Sequence, residues 1–216
     1  MHIEIVVEDS SGSELINSVI TKIIGELGEA HTWRVHPYKG IGRIPKNLSR
    51  TGDPANRVLL QQLPKLLKGY GRTPGVDAVV VVLDSDRKDC RDFLKDLTAL
   101  ANECQPNLNV MFRIAVEEME AWYLGDRHAI MCAYRKAKIA VLERYEQDSV
   151  CGTWELLADA IYPGGMKAIR KTGWPLPGQI KHEWAKKISP FLNIEENESP
   201  SFCKLRDGLR RLTGDS

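Results

Sequence analysis

Three carboxylates follow two apolar segments of the chain, at the points where those segments end. Glu8 comes directly after residues 3–7, and Asp84 and Asp86 come after the β-branched run at residues 79–82. Carboxylates held close together repel one another unless a cation neutralises them, and hard oxygen ligands suit Mg²⁺ or Mn²⁺. The sequence therefore predicts a metal site formed by Glu8, Asp84 and Asp86.

Further acidic residues are candidates for the same site. Asp89 follows shortly after these aspartates and is interpreted first as the N-cap of the next helix, with metal binding as a second role. Glu118 and Glu120 follow another apolar segment, residues 110–116, and could hold a second metal ion or orient the first. Their neighbour Glu117 is expected to be exposed.

A basic, glycine-containing segment at residues 36–47 is a candidate phosphate-binding loop. Its cations include Lys39, Arg43 and Lys46, and its glycines permit close approach of the backbone to an anion. A solvated surface loop explains the same composition equally well. The sequence leaves both interpretations open.

The elements around these residues predict an α/β fold. A continuous β-branched run is typical of a strand that helices cover on both faces. Strand patterns near residues 3–7, 33–35, 79–83 and 110–116 alternate with helical patterns, which indicates a doubly wound, mainly parallel sheet. Because such sheets bind ligands at the carboxyl ends of their strands, the candidate carboxylates are expected at one edge. Pro64 predicts a kink or break in the second helix.

The character of the chain changes after Glu117, where helical patterns replace strands. We interpret residues 1–126 as the sheet core and residues 127–216 as an α-helical annex packed on it. The helical patterns cover residues 119–134, 154–161, 180–191 and 201–212. Basic residues accumulate in the annex, Lys181 among them, and could contact a phosphate backbone.

Composition narrows the possible classes of function. The 30 basic residues nearly balance the 29 acidic ones, so the net charge of +1 offers no general attraction to nucleic acid, and any such binding requires a local patch. No apolar run approaches the roughly 20 residues of a membrane span, and the N-terminus enters a strand without a signal peptide pattern. Five cysteines without a CxxC pair predict a reduced, cytoplasmic protein with small buried thiols.

The order of these motifs resembles the toprim domain. In that family a glutamate follows the first strand, here Val7-Glu8, and an Asp-x-Asp follows a later strand, here Asp84-Ser85-Asp86. The chain is most similar to small stand-alone bacterial toprim-like proteins, through residues 84–90, 115–122 and 199–202. Many toprim proteins have glycine after the first glutamate, where this chain has Asp9.

The resemblance implies a toprim-like, Rossmann-like sheet and a Mg²⁺-dependent phosphodiesterase. The expected activity is a nuclease acting on DNA or RNA, in a bacterial defence or toxin-like system. Asp84 and Asp86 would hold Mg²⁺ (or Mn²⁺), and Glu8 would share the metal or act as a general base. Because such proteins are commonly coupled to ABC-type ATPases, we expect an ATPase partner or a homo-oligomer, with the annex tryptophans as anchors.

Two other classes of protein are open at this point. One is a non-catalytic toprim-like subunit that docks with or regulates a partner ATPase. The other is a flavodoxin-like or receiver-like signalling domain, in which an acidic pocket also binds Mg²⁺. A metal-dependent cleavage assay would distinguish the first from a nuclease, and the strand order was expected to distinguish the second.

Overall fold

A four-stranded parallel sheet forms the centre of the computed structural model, which describes residues 1–45, 53–172 and 176–214. The strands are β1 His2–Val7, β2 Thr32–Pro37, β3 Ala78–Asp84 and β4 Asn109–Ala115. They are arranged in the order β2-β1-β3-β4, and each neighbouring pair is parallel. The predicted α/β class, with a Rossmann-like parallel sheet flanked by helices and a helical C-terminal part, is confirmed.

Three helices connect the strands and cover both faces of the sheet. They are α1 Ser10–Ile24, α2 Leu59–Tyr70 and α3 Cys90–Cys104. Val80 and Val82 of β3 are buried in a core that includes α1, whereas Val79 and Val81 are buried in a second core with α2 and α3. Successive side chains of a strand point to opposite faces, which explains why β3 is apolar at every position before its last residue, Asp84.

The remaining helices extend the core on the α1 side of the sheet. They are α4 Glu120–Leu124, α5 Arg127–Ala133, α6 Ile139–Leu142, α7 Thr153–Ile161, α8 Gly165–Thr172, α9 Leu176–Ile188 and α10 Pro200–Thr213. The rings of Trp122 and Phe202, both fully buried, meet edge to face at 5.8 Å. One continuous hydrophobic cluster therefore joins the sheet, α1 and the annex.

Two sequence expectations about the helices differ from the structure. Helix α2 continues past Pro64 to Tyr70, so the predicted break does not occur. The single helix expected over residues 119–134 is divided into α4 and α5 at Gly125. Asp126 causes the second helix to start anew, because its carboxylate accepts a hydrogen bond from the Ala129 N–H at 2.9 Å.

Two further observations concern the exposure of the cysteines and the length and polarity of the helices. All five cysteines are free thiols, but only Cys104 is buried, whereas Cys132 and Cys151 are exposed. The expectation of buried thiols therefore fails for most of them. In the part of the chain that the structure describes, every helix is too short or too polar to cross a bilayer.

Candidate functional site

The sheet topology places two acidic residues side by side. β1 and β3 are neighbours, and the chain leaves them in opposite directions, toward β2 and toward β4. In open α/β sheets, the carboxyl ends at such a reversal form the crevice that binds ligands. Glu8 is the first residue after β1, and Asp84 is the last residue of β3. The fold itself therefore brings these two carboxylates to the crevice.

Glu8 and Asp84 form a partly buried and poorly neutralised pair. The Asp84 N–H donates to Glu8 Oε2 at 3.4 Å, and Asp84 Oδ1 is buried with no hydrogen-bond partner among the described residues. Burial, followed by the charge of Glu8, raises the pKa of Asp84 well above its ordinary value. Burial also raises the pKa of Glu8 to about 7, and the charge of Asp86 contributes to the rise. At neutral pH this pair therefore favours a proton or a bound cation.

Asp86 lies at the rim of the crevice and does not belong to the Glu8–Asp84 pair. Its backbone adopts the left-handed conformation with φ of 51°, and its N–H donates to the Glu117 carbonyl at 2.9 Å. Its half-exposed carboxylate lies 3.4 Å from the Lys88 ammonium. The structure thus brings together two of the three predicted carboxylates, because the turn after β3 begins before Asp86 and directs it toward solvent.

Glu118 and Glu120 share an internal cation. Lys181, on α9, places its Nζ 3.1 Å from Glu118 Oε1 and 3.3 Å from Glu120 Oε2. Burial alone would lower the pKa of Lys181, but Glu120, Glu118 and Asp84 together raise it above its ordinary value. The Trp154 ring lies over the ammonium, with its centroid 5.4 Å from Nζ. Lys181 is therefore a permanently charged group beside both pairs of acids.

The Glu118 carboxylate is only partly satisfied by this contact. Its Oε2 is buried without a hydrogen-bond partner in the described part of the chain. Burial raises its pKa to about 7, against the opposing effect of the Lys181 charge, and Glu120 adds to the rise. Because Asp84 also interacts with Lys181 and Glu120, all four acids belong to one electrostatic cluster.

Two of the neighbouring acids have structural roles. Asp89 is the N-cap of α3, and its Oδ1 accepts hydrogen bonds from the N–H groups of the first turn at 2.9 and 3.1 Å. The first interpretation of Asp89 is confirmed, and the carboxylate is directed at the helix. Glu117 was expected to be exposed, which is wrong. Its carboxylate accepts hydrogen bonds from the N–H groups of residues 151–153, at the start of α7.

The predicted phosphate-binding loop borders the pair in part. The Gly40 N–H donates to the Glu8 carbonyl at 3.0 Å, and the Ile41 N–H helps to hold the Glu8 carboxylate. Lys39 and Arg43 lie on this loop with exposed side chains. Lys46 lies outside the described residues. The loop thus carries two exposed cations next to the acidic crevice.

Sequence reasoning missed two contributors to the site. Ser85 is buried, and its Oγ accepts a hydrogen bond from the Glu117 N–H at 2.8 Å, which ties the turn after β3 to the turn after β4. No motif distinguishes this serine from other turn serines. Lys181 was noticed only as one of several annex cations, because it is distant in sequence from every acid it contacts.

The acids do not form a complete protein-built metal cage. Within residues 1–45, 53–172 and 176–214, no three or more His, Cys, Asp or Glu side chains are grouped so that they could hold a metal ion. Mg²⁺, however, commonly binds through one or two carboxylates and completes its coordination with waters and substrate phosphates. The partly buried Glu8–Asp84 pair, with one buried oxygen of Asp84 that has no partner among the described residues, fits a site of that kind.

Comparison with known proteins gives one match. Residues 7–150 match the model of a family described as a domain of unknown function, DUF4276. The match includes all the acidic residues of the cluster and ends before Lys181. No curated protein and no solved structure matches the chain.

Proposed function

This chain belongs to the DUF4276 family, and we propose that it is a divalent-cation-dependent phosphodiesterase, with a nucleic acid as its substrate. The observation that carries the proposal is the Glu8–Asp84 pair. One carboxylate oxygen of Asp84 is buried without a partner in the described structure, and the neighbouring acid repels it. A cation bound there, Mg²⁺ or Mn²⁺, would relieve both costs. The likeness of the motifs to toprim nucleases supports the same chemistry.

The residues around the crevice can take different roles in the hydrolysis of a phosphodiester. Water attacks phosphorus, a new P–O bond forms, and the bond to the leaving ester oxygen breaks. Glu8, with a pKa of about 7, can accept the proton of the attacking water near neutral pH. Asp84 would hold the cation, which when bound neutralises charge on the phosphate. Asp86, at the rim, could bind the same cation through water.

The cations of the site have complementary roles. Lys181 keeps its charge because three acids stabilise the ammonium form, so it can offset the charge that develops on the phosphate. Lys39 and Arg43 are exposed on the loop that contacts Glu8 and could orient the substrate backbone without reading its sequence. Lys46 belongs to the same proposal.

A cleavage assay with matched variants tests the proposed activity. We expect the protein to cleave DNA or RNA with Mn²⁺ or Mg²⁺, and Glu8→Gln and Asp84→Asn each to reduce the rate by about 10²-fold or more. Glu14→Gln is the control, because Glu14 is an acid of α1 near His182 of α9 and lies outside the pair. Equal activity of Asp84→Asn and the wild type would refute the assignment.

Two other classes of protein would be supported by a negative assay. Absence of cleavage, together with Mn²⁺ binding that Asp84→Asn abolishes, would favour a non-catalytic docking or regulatory subunit. The strand order does not separate a nuclease or a docking subunit from a flavodoxin-like domain. The order β2-β1-β3-β4 is also the start of the flavodoxin-like order. The cleavage assay therefore carries the distinction.

Association with an ATPase partner, or of the chain with itself, also stays a prediction. The residues that we expect to make the contact are different ones. Trp184, one of the expected anchors, is only 2% exposed and packs against Trp154 at 6.2 Å between ring centroids. Trp174 lies outside the described residues. Among the described annex residues, the large apolar side chains exposed by half or more are those of Ile139, Val150 and Phe191. A partner that docks on the annex would cover these residues.

A further inference from the structure

A groove runs along the outer edge of β4, between α3 and α10. It consists of two adjoining depressions of about 470 and 270 Å³, which share Leu94, Phe112, Arg113 and Arg211 as lining residues. β4 is the last strand of the sheet, so its outer edge has no strand neighbour among the described residues. One end of the groove reaches Cys90 and Val116, next to the turn that carries Asp86. The groove thus opens at the acidic edge of the sheet.

The groove is lined by cations, with no acidic side chain. Arg91 lies on the α3 wall, Lys204 and Arg211 lie on the α10 wall, and Arg113 rises from the strand. Within the described residues none of these four forms an ion pair with a carboxylate, although salt bridges are frequent elsewhere on α9 and α10. A chain whose charges otherwise nearly cancel therefore concentrates positive charge in one recess.

Arg113 is held in a fixed orientation without being neutralised. Its Nε donates to the Lys204 carbonyl at 2.8 Å, and its Nη1 donates to the Phe112 carbonyl at 2.7 Å. Both acceptors are uncharged, and the described structure gives Nη2 no acceptor. Burial and the nearby Arg211 charge lower the pKa of Arg113, which means that an anion between the two guanidinium groups would relieve an existing repulsion.

We propose that this groove binds the sugar–phosphate backbone of a single-stranded nucleic acid and leads it to the Glu8–Asp84 crevice. The inference deepens the proposed function and rests on it for the direction of the strand. Guanidinium groups match phosphate oxygens in charge and in hydrogen-bond geometry. A flexible single strand can follow a recess along a sheet edge, whereas a duplex presents its phosphates on a rigid cylinder.

Two other occupants fit the groove less well. A second copy of the chain, paired edge to edge through β4, would bring two sets of arginines together and would be repelled. An acidic peptide added as a further strand would match the charge. However, the Phe112 carbonyl, which such a strand would need as an acceptor, is already bonded by Arg113. Phosphates need no such strand pairing.

Gly208 on α10 provides a variant that changes geometry without changing charge. A Cβ atom added at Gly208 would lie 2.0 Å from Arg113 Nη2, so the guanidinium would have to move. The end of an arginine side chain can move at little cost, and alanine favours a helix more than glycine does. We therefore expect Gly208→Ala to fold normally and to misplace the Arg113 guanidinium.

The test is the binding of a fluorescein-labelled oligothymidylate to the full chain, in EDTA, measured by anisotropy. Arg113→Gln and Arg211→Gln should each weaken binding by roughly tenfold, and Gly208→Ala should also weaken it. Each lost arginine should reduce the slope of log affinity against log salt by about 0.7. Arg210→Gln, the control, removes the same charge from the same helix at a residue that pairs with Glu195, and it should bind like the wild type.

The outcomes separate this inference from the proposed activity. Asp84→Asn should still bind the oligonucleotide in EDTA even if it cannot cleave, so failure of catalysis leaves the groove intact. Equal weakening by Arg210→Gln and Arg211→Gln would overturn the groove and indicate general charge attraction. Tighter binding of a duplex, or equal binding of an oligoglutamate peptide, would also overturn the assignment to a single strand.

Discussion

Two pairs of carboxylates occupy the same edge of the sheet, and they differ in how their charge is balanced. Glu118 and Glu120 lie within 3.3 Å of the Lys181 ammonium. Among the described residues, Glu8 and Asp84 have no cation at such a distance. Burial and mutual repulsion disfavour their charge, and the opposing effects are the N–H groups that hold Glu8 and the more distant charge of Lys181 near Asp84. Both pairs consist of carboxylates, one of Glu8 and Asp84 and the other of two glutamates. The position of one lysine makes the difference.

This difference indicates which pair is available to a ligand. A buried acid that already has an internal cation gains little from an external one, whereas an unbalanced pair gains neutralisation as well as new bonds. The proposed external cation therefore belongs at Glu8 and Asp84, and Lys181 is the fixed positive charge of the other pair. A second metal ion at Glu118 or Glu120 stays a prediction.

Removal of the internal cation should have the largest effect on stability. Lys181→Met leaves the buried Glu120 and the partly buried Glu118 without their counter-ion. Loss of one partner of a buried ion pair costs about 3–5 kcal/mol. We expect urea denaturation at pH 7 to show a loss of unfolding free energy of that order. The loss should shrink at acidic pH, where the carboxylates can take up protons.

Lys187 on the same helix is the matched control. It forms an exposed pair with Glu183 one turn away, and such surface pairs contribute little. Lys187→Met should therefore leave the denaturation curve nearly unchanged. If the two lysine variants lose the same free energy, Lys181 does not hold the acids as the structure indicates, and the comparison between the pairs fails.

The pH dependence of stability should distinguish the pairs with a smaller effect. The folded-state pKa of Glu8, about 7, is above the ordinary glutamate pKa of 4.5, so the folded protein keeps a proton that the unfolded chain releases. This contribution is present in full below about pH 4.5 and is lost as pH rises through about 7. The expected loss of unfolding free energy across this window is roughly 1–3 kcal/mol.

Glu118 also has a pKa raised to about 7, so it contributes to the same pH dependence. The addition of Mg²⁺ should separate its contribution from that of Glu8. Saturating Mg²⁺ should remove the share of the loss that Glu8 causes and leave the share that Glu118 causes. Glu8→Gln should abolish the Mg²⁺-sensitive share, and Glu118→Gln should abolish only the other. Sensitivity to Mg²⁺ that depends on Glu118 and not on Glu8 would reverse our assignment.

Much of the fold could be predicted from periodicity, since each strand and its direction follow from local patterns. The β-branched run of β3 and the helical spacing of α1 identified the sheet and its layers before the structure was known. The division of α4 from α5 was not predicted, because it depends on Asp126, whose carboxylate accepts hydrogen bonds from the Ala129 N–H and from the N–H of Asn193, a residue distant in sequence. The prediction at Pro64 was a kink or a break, and no break occurs, because the helix continues through the proline to Tyr70.

The site was predictable only where sequence neighbours are also spatial neighbours. Glu8 and Asp84 were found because the carboxyl ends of parallel strands meet at one edge. The orientation of Asp86 depends on a left-handed turn, and the role of Glu117 depends on the start of α7. The groove of Arg113 and Arg211 joins an edge strand to the last helix. No local pattern records such long-range packing.

The smallest predicted effect concerns Asp89, whose variants can distinguish helix capping from metal binding. Its carboxylate accepts hydrogen bonds from the N–H groups of Arg91 and Asp92, and these bonds lower its pKa. Asp89→Ala should lower the thermal midpoint slightly, and Asp89→Ser should restore it, because serine is also a good N-cap. Neither variant should change the Mn²⁺ affinity measured by calorimetry, whereas Asp84→Asn should abolish it. Serine replaces the cap but not the carboxylate. A Mn²⁺ affinity that falls equally in Asp89→Ala and Asp89→Ser would therefore make Asp89 a ligand. The cation site would then extend from the Glu8–Asp84 pair to the start of α3.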